Sequence, residues 1–367
     1  MSNHFTLERL LYSARHYQAS DIHLIAGLPP AWRVNGEIML AEAEPFTAAE
    51  VAEFALEGLT AEQKAVLDRE MALCYSFAHE ELGRFRVSIY LRNGSPELAI
   101  RACTSVLRTR KELGLPSELD ELTTRPSGLI LITGATGSGK TTTLNYMIDQ
   151  INSSRRCKII MIEDPIDYVH DHQMALVVQQ ELYTDVPNFN AGLLHILRQD
   201  PDVIGIGEMR NHDTIATALT AAETGHLVSG TLHTNSAPQT IDRIIDVCPA
   251  GAQNQICGQL AAVLRGVITQ QLLPLASGQG RCAATEILVG TDAVANLIRE
   301  GKCYQIPSIL QSGAALGMHS LNADLARLVS TGRITREAAE RHSLPLLAEM
   351  PIDPALAALV DAGDIES

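Results

Sequence analysis

The chain is poor in positive charge, and its sequence shows no long apolar run, no closely spaced cysteine pair and no signal-peptide pattern at its start. Only 28 Lys and Arg stand against 43 Asp and Glu, a formal net charge of -15. Non-specific nucleic-acid binding runs on Lys/Arg contacts to phosphate, so that balance argues against it, although local basic patches stay compatible with it. Any phosphate site must therefore rest on backbone amides and a few placed cations. The 7 cysteines (Cys74, Cys103, Cys157, Cys248, Cys257, Cys282 and Cys303) are scattered, and none forms a C-x-x-C pair. That excludes a zinc knuckle or a disulfide framework and fits reduced thiols in a cytosolic protein. "MSNHFTLERL" lacks the basic start and apolar run of a signal peptide. No stretch approaches the ~20 apolar residues of a spanning helix. A soluble protein is expected, with docking on a membrane complex left open.

What remains is ordinary for a folded chain: 367 residues, 46% hydrophobic and 19% charged, enough for two or three domains. Residues 1–110 read as a small α+β domain. "SDIHLIAG" (Ser20–Gly27), "AWRVNGEI" (Ala31–Ile38) and "GRFRVSIYLR" (Gly83–Arg92) alternate like half-buried strands, with Asn35-Gly36 as a hairpin turn. Thr47-x-x-Glu50 and Thr60-x-x-Gln63 are capping boxes that open two helices between them. Residues 111–127, with their Pro and Gly, read as the connection to a second unit covering 128–367.

From Gly128 onward β-branched runs ("GLILIT", "KIIMIED", "PDVIGIGE", "HLVSGTLHT") alternate with helical periodicity. Leu144, Met147, Ile148 and Ile151 share one helical face, as do Ile215, Ala218, Leu219 and Ala222, with Gly225 as a stop. Such alternation predicts an α/β fold with a mostly parallel sheet covered by helices on both sides. Beyond about residue 250 the chain reads as mainly helical.

"GATGSGKT" (Gly134–Thr141) matches G-x-x-x-x-G-K-(S/T) between a strand and a helix, the context the motif requires. Its glycines (Gly134, Gly137, Gly139) let the amides of Thr136, Ser138 and their neighbours curl around phosphate oxygens, at a helix N-terminus. Lys140 would reach the β- and γ-phosphates, the Thr141 hydroxyl would ligand Mg²⁺, and Thr142 completes the first helical turn. The alternative is a Gly-rich turn without function. ATP and Mg²⁺ are the implied cofactors.

Two acids fall where strands should end: Glu208 after "DPDVIGIG", and Glu163 in "IIMIEDPID" before Pro165. Open α/β sheets bind ligands at the carboxyl ends of their strands. Singly, either acid could be a helix cap or a solvated loop residue; with the P-loop they form a hydrolytic constellation, Glu208 as a candidate for the Mg²⁺ shell. In "TGHLVSGTLHTN", His226 and His233 stand seven apart, about 23 Å in an extended strand and on opposite faces. They cannot share a metal. A hydrogen-bonded core histidine suits His226 as well as an active role does, whereas His233 at the strand's end is placed for a γ-phosphate.

These motifs together resemble the secretion-superfamily ATPases that drive type IV pili and type II secretion, and most closely the PilT-type retraction branch. "GATGSGKTTT" is similar to the family's Walker A, "IEDPID" to its acidic box, "LRQDPDVIGIGEMR" to Walker B and "AAETGHLVSGTLHTNSAPQTIDRIIDVCP" to its His box. The likeness runs from "ASDIHL" to "LGMHSL". It implies a PAS-like N-terminal domain, a RecA-like core and a ring of six subunits docked on an inner-membrane pilus platform protein. A second retraction ATPase is a further implied partner, and nucleic acid is not. The location implied is cytoplasmic, peripheral to the inner membrane. The resemblance also implies that Glu163 and Glu208 share water activation and Mg²⁺ organisation, and that His233 contacts the γ-phosphate. Arg86 and Arg101, with Arg84 a weaker match, would complete a neighbour's site.

The chain lacks the long N-terminal extension and the four-cysteine insertion usual in assembly and secretion ATPases, which favours retraction. Against this, "AVANLI" (Ala293–Ile298) places Ala295 where retraction ATPases show the arginine of A-I-R-N-L. An accessory, PilU-like motor, or a type II/IV secretion or pilus-assembly ATPase, is the alternative.

Overall fold

In the computed structural model, residues 6–34, 37–103, 107–278 and 280–343 are described. Six strands form an antiparallel N-terminal sheet: β1 (Asp21–Leu24), β2 (Ala31–Val34), β3 (Glu37–Leu40), β4 (Ala72–His79), β5 (Gly83–Arg92) and β6 (Ser95–Ala102). Their order is β3-β2-β1-β6-β5-β4. The helices Ala48–Leu56 and Ala61–Glu70 lie between β3 and β4 in the chain, and each opens with the reciprocal capping box expected of Thr47/Glu50 and Thr60/Gln63. Alternate residues of β5 and β6 (Phe85, Val87, Ile89, Leu98, Ile100) bury one face against Leu10 and Leu11 of the helix Leu7–His16 and Val51 of the helix Ala48–Leu56. The Asn35-Gly36 turn lies outside the described residues. Strands β4 and β6 were not anticipated, although Leu73, Tyr75 and Phe77 of "ALCYSFAH" and Leu98, Ile100 and Ala102 of "SPELAIRA" alternate and turn to the same apolar cluster.

The second sheet holds β7 (Gly128–Thr133), β8 (Lys158–Glu163), β9 (Leu176–Glu181), β10 (Val203–Ile206), β11 (Leu227–Leu232), β12 (Leu264–Pro274) and β13 (Arg281–Val289). In the order β13-β12-β7-β11-β10-β8-β9, every neighbour is parallel except the β12–β13 pair. Leu129 and Leu131 of β7 enter one apolar cluster, whereas Ile130 and Ile132 enter another with Leu144, Met147 and Ile151. Both faces of the sheet are thus covered, as the strand–helix alternation predicts.

Beyond residue 250 most elements are helices, as expected, but β12 and β13, a long hairpin that extends the core sheet, were not anticipated. The strand "LRGVITQQLLP" is buried on both faces for most of its length, so it presents an apolar block without the period-2 signature of a half-buried strand. Residues 107–127 contain two short helices, and Leu115, Leu119 and Leu122 pack into the cluster that holds the helix Lys140–Ser154. Tyr146 donates from its hydroxyl to Asp120 at 2.6 Å across that contact.

Register brings the functional ends together. Ile206 pairs with both Ile162 and Gly230, and Leu232 pairs with Thr133. The segments that follow β7, β8, β10 and β11 therefore emerge along one edge of the sheet, where open α/β folds place their ligands.

Candidate active site

The loop after β7 turns on glycines that nothing larger could replace. Gly134 has φ 141°, and a Cβ there would lie 2.3 Å from the Gln270 carbonyl and 2.6 Å from Ser138 Oγ. Gly139 caps the helix Lys140–Ser154 in the left-handed region at φ 89°, which favours glycine. Thr136 and Gly137 are exposed at the loop's tip, Ser138 is buried, and Thr141 and Thr142 are exposed on the first helical turn. The buried Ser138 hydroxyl has no hydrogen-bond partner among the described residues.

Gln270 of β12 holds this loop from beneath. Its Nε2 donates to the Ser138 carbonyl at 2.6 Å, and its Oε1 accepts from the Thr143 hydroxyl at 2.8 Å. Thr133 and Thr269 hydroxyls meet at 2.9 Å alongside. Sequence reasoning missed Gln270, and the signal available was a pair of glutamines interrupting the apolar run of β12.

Lys140, His233 and Glu208 converge at the mouth of the loop. The Lys140 ammonium donates to the Gly134 and Ala135 carbonyls at 2.8 and 2.9 Å and lies 3.2 Å from His233 Nδ1. His233 Nε2 lies 3.0 Å from Glu208 Oε1, and Arg210 pairs with the same carboxylate at 2.6 Å. Burial lowers the Lys140 pKa, with Glu208 opposing it. Burial alone would raise the Glu208 pKa, but the Arg210 hydrogen bond and the charges around it prevail and hold the carboxyl below its usual range. The turn carrying Glu208 is stapled to β11: Thr231 donates its hydroxyl to the Gly207 carbonyl, and Met209 N–H donates to the Thr231 carbonyl. That staple fixes Glu208 relative to His233.

Glu163, at the end of β8, lies in a different environment. It is 2% exposed, and burial pushes its carboxyl up to about 8. Gln179 Nε2 donates to its Oε1 at 2.8 Å, while Oε2 has no hydrogen-bond partner among the described residues. Among the described residues it makes no hydrogen bond to Lys140, His233 or Glu208.

The arginines of the N-terminal sheet face the segment after Glu163. Arg86 pairs across the strands with Arg101, and its Nη1 lies 4.0 Å from Asp167 of the same chain. Arg101 is more exposed and pairs with Asp21 at 2.9 Å. Burial raises the Asp164 and Asp167 carboxyls, with Arg86 the first opposing charge at both. Arg84 is occupied otherwise: it donates to the Ile166 carbonyl at 2.9 Å and to buried Glu181 at 2.7 Å, and bonds Ser76 as well. Arg84 thus ties the two sheets together.

His226 precedes β11, its Nδ1 2.9 Å from the Ala221 carbonyl. With six residues of strand between them, His226 and His233 sit at opposite ends of β11. Ala295 lies on the helix Asp292–Arg299, packed against the main core and beside a cavity of about 130 Å³. No described helix is long and apolar enough to cross a membrane.

Comparison with known proteins places this geometry. Residues 5–344 match the family described as type II/IV secretion system protein. The type IV pilus retraction ATPase PilT of Pseudomonas aeruginosa is 42% identical over 92% of this chain and 98% of its own. The type IV pilus ATPase PilU of the same organism is 36% identical, over 92% of this chain and 88% of its own. A crystal structure of the pilus retraction motor PilT with bound ADP superposes with a TM-score of 0.86 at 41% identity, covering 94% of this chain and 98% of that one. The chain therefore belongs to the type II/IV secretion system protein family, and within it to the PilT-type ATPases.

Proposed function

We propose that the chain hydrolyses ATP as a homohexameric motor that retracts a type IV pilus from an inner-membrane platform protein, with a second retraction ATPase as a further partner. The location that goes with this reading is cytoplasmic and peripheral to the inner membrane. The observation that carries it is the convergence of Lys140, His233 and Glu208 within hydrogen-bond distance at the mouth of a glycine loop. The names of the relatives, and the ADP in one of their crystal structures, support it.

In this reading the amides of Gly134–Thr141 cradle the triphosphate, and Lys140 exchanges its carbonyl partners for β- and γ-phosphate oxygens. Thr141 and Glu208 offer hard oxygen donors that suit Mg²⁺. Both Glu208 oxygens already accept from side-chain nitrogens of Arg210 or His233, so Glu208 would help hold the metal through water. Mg²⁺, when bound, would supply charge neutralisation at the phosphates. Two carboxyls with opposed pKa shifts divide the work: Glu208 stays ionised, and Glu163 is poised to take a proton from the attacking water. His233 contacts the γ-phosphate between Lys140 and Glu208.

Arg86 and Arg101 complete the site from a neighbouring subunit. A second reading, in which Arg86 serves its own chain, is favoured by its 4.0 Å approach to Asp167. Ala295 leaves hydrolysis untouched and alters the coupling of hydrolysis to retraction, as a PilU-like accessory motor would tolerate. The test is ATPase activity of size-fractionated protein together with the phenotype of a deletion strain. Retraction predicts piliated, non-twitching cells; bald cells would assign the chain to assembly instead.

A further inference from the structure

On the reading of Glu163 as the water-activating acid, we propose that Gln179 is a positioning residue for it. Gln179 orients the carboxylate and leaves Oε2 as the oxygen that takes the proton. Three hydrogen bonds fix the Gln179 carboxamide. Its Oε1 accepts from the His170 backbone N–H at 2.9 Å, and its Nε2 donates to the Tyr168 carbonyl at 2.7 Å and to Glu163 Oε1 at 2.8 Å. Flipping the amide would set its oxygen against a carbonyl and a carboxylate and its NH₂ against an N–H, so only one orientation is compatible with these partners. Gln179 Nε2 therefore always presents a donor to Oε1, and the proton goes to Oε2, which is buried and unpartnered.

Among the described residues no other hydrogen bond reaches the Glu163 carboxyl. In the β8–β9 register Glu163 lies opposite Glu181, and Gln179 is two residues back on the same face. Arg84, whose charge acts on Glu163, is committed to Glu181 and the Ile166 carbonyl. Glu181 is itself saturated by Ser76 N–H, the Ser76 hydroxyl, Arg84 and Ile166 N–H. The same carboxamide joins Glu163 to the phosphate loop: His170 Nε2 lies 2.7 Å from Asn145 Oδ1, and Asn145 Nδ2 donates to the Thr141 carbonyl at 2.9 Å. Gln179 is thus the link through which the acid and the first turn of the P-loop helix share one frame.

The experiment compares Gln179→Met, Gln179→Glu and Glu163→Gln in the full-length assembled ATPase, measuring kcat, KM for ATP and ADP affinity. Misplacing a reacting group by about 1 Å can cost ~10²-fold, so each folded Gln179 variant should lose roughly 10- to 100-fold in kcat. KM and ADP affinity should stay within about twofold of the parent. A folded Gln179 variant with parental kcat, or one whose loss sits in KM, overturns the proposal while an inactive Glu163→Gln keeps the reading beneath it. Failure of both Gln179 variants to fold makes the residue part of the scaffold and overturns it equally. Parental activity in Glu163→Gln overturns the underlying reading itself.

Discussion

His233 stands between Lys140 and Glu208, its Nδ1 3.2 Å from the ammonium and its Nε2 3.0 Å from the carboxylate. An ammonium can only donate and an ionised carboxylate can only accept. The neutral ring with its hydrogen on Nε2 satisfies both neighbours at once, and a hydrogen on Nδ1 would oppose the ammonium. The imidazole is thereby set at the loop mouth with a defined polarity, which suits a contact to the terminal phosphate. Removing a preorganised group of this kind costs about 10²–10³ in turnover. His233→Ala should therefore depress kcat far more than it weakens nucleotide binding. Equal losses in steady-state rate and in affinity for a non-hydrolysable analogue would refute that role.

Glu163 carries a pH signature. Its carboxyl is raised from 4.5 to about 8 because burial disfavours the charged form, and a base must be ionised to accept a proton. The rate should climb with pH through about 8, and this limb should be read in the parent's kcat profile; a flat profile there contradicts the assignment. Stability runs the opposite way. The folded state binds this proton more tightly than the unfolded chain does, so the stability it contributes is fully present below about 4.5 and is lost as pH rises through about 8. Glu163→Gln cannot ionise and should gain on the parent in thermal midpoint as pH rises from 6 to 9.

Gln270 predicts a loss of binding rather than of chemistry. Gln270→Leu removes two bonds beneath the loop and strands the buried Ser138 carbonyl and Thr143 hydroxyl. Leaving such groups unmet costs about 1–3 kcal/mol. Denaturant unfolding should detect that cost, and KM for ATP should rise more than kcat falls. A variant with parental KM would show that the loop holds its shape without the clamp.

Arg86→Ala should abolish turnover only in the assembled ring. Mixing it with Lys140→Ala subunits decides which chain the arginine serves. Rescue of activity in mixed rings means that a neighbour supplies it. Absence of rescue refutes sharing and leaves the contact within one chain as the operative one.

Main-chain chemistry was the most legible part of the sequence. Glycine spacing, a strand before and a helix after identify Gly134–Thr141, because the constraint is local. The capping boxes at Thr47 and Thr60 were readable for the same reason. Buried strands were harder to read. The block that forms β12 gives no alternation because both of its faces are covered, and with it Gln270 was hidden. Gln179 was equally invisible, since its importance comes from β9 pairing beside β8 in the folded sheet. The meeting of Lys140, His233 and Glu208 depends on the register of β7, β11 and β10, which no local pattern encodes.

The most direct test is Mg²⁺-dependent ATPase activity of the size-fractionated assembly, measured for the parent, Lys140→Ala and Glu208→Gln. The account predicts turnover in the parent's assembled fraction and none in either variant with its assembly intact. Near-parental rates in either variant, or a parent that assembles and hydrolyses nothing, would contradict it.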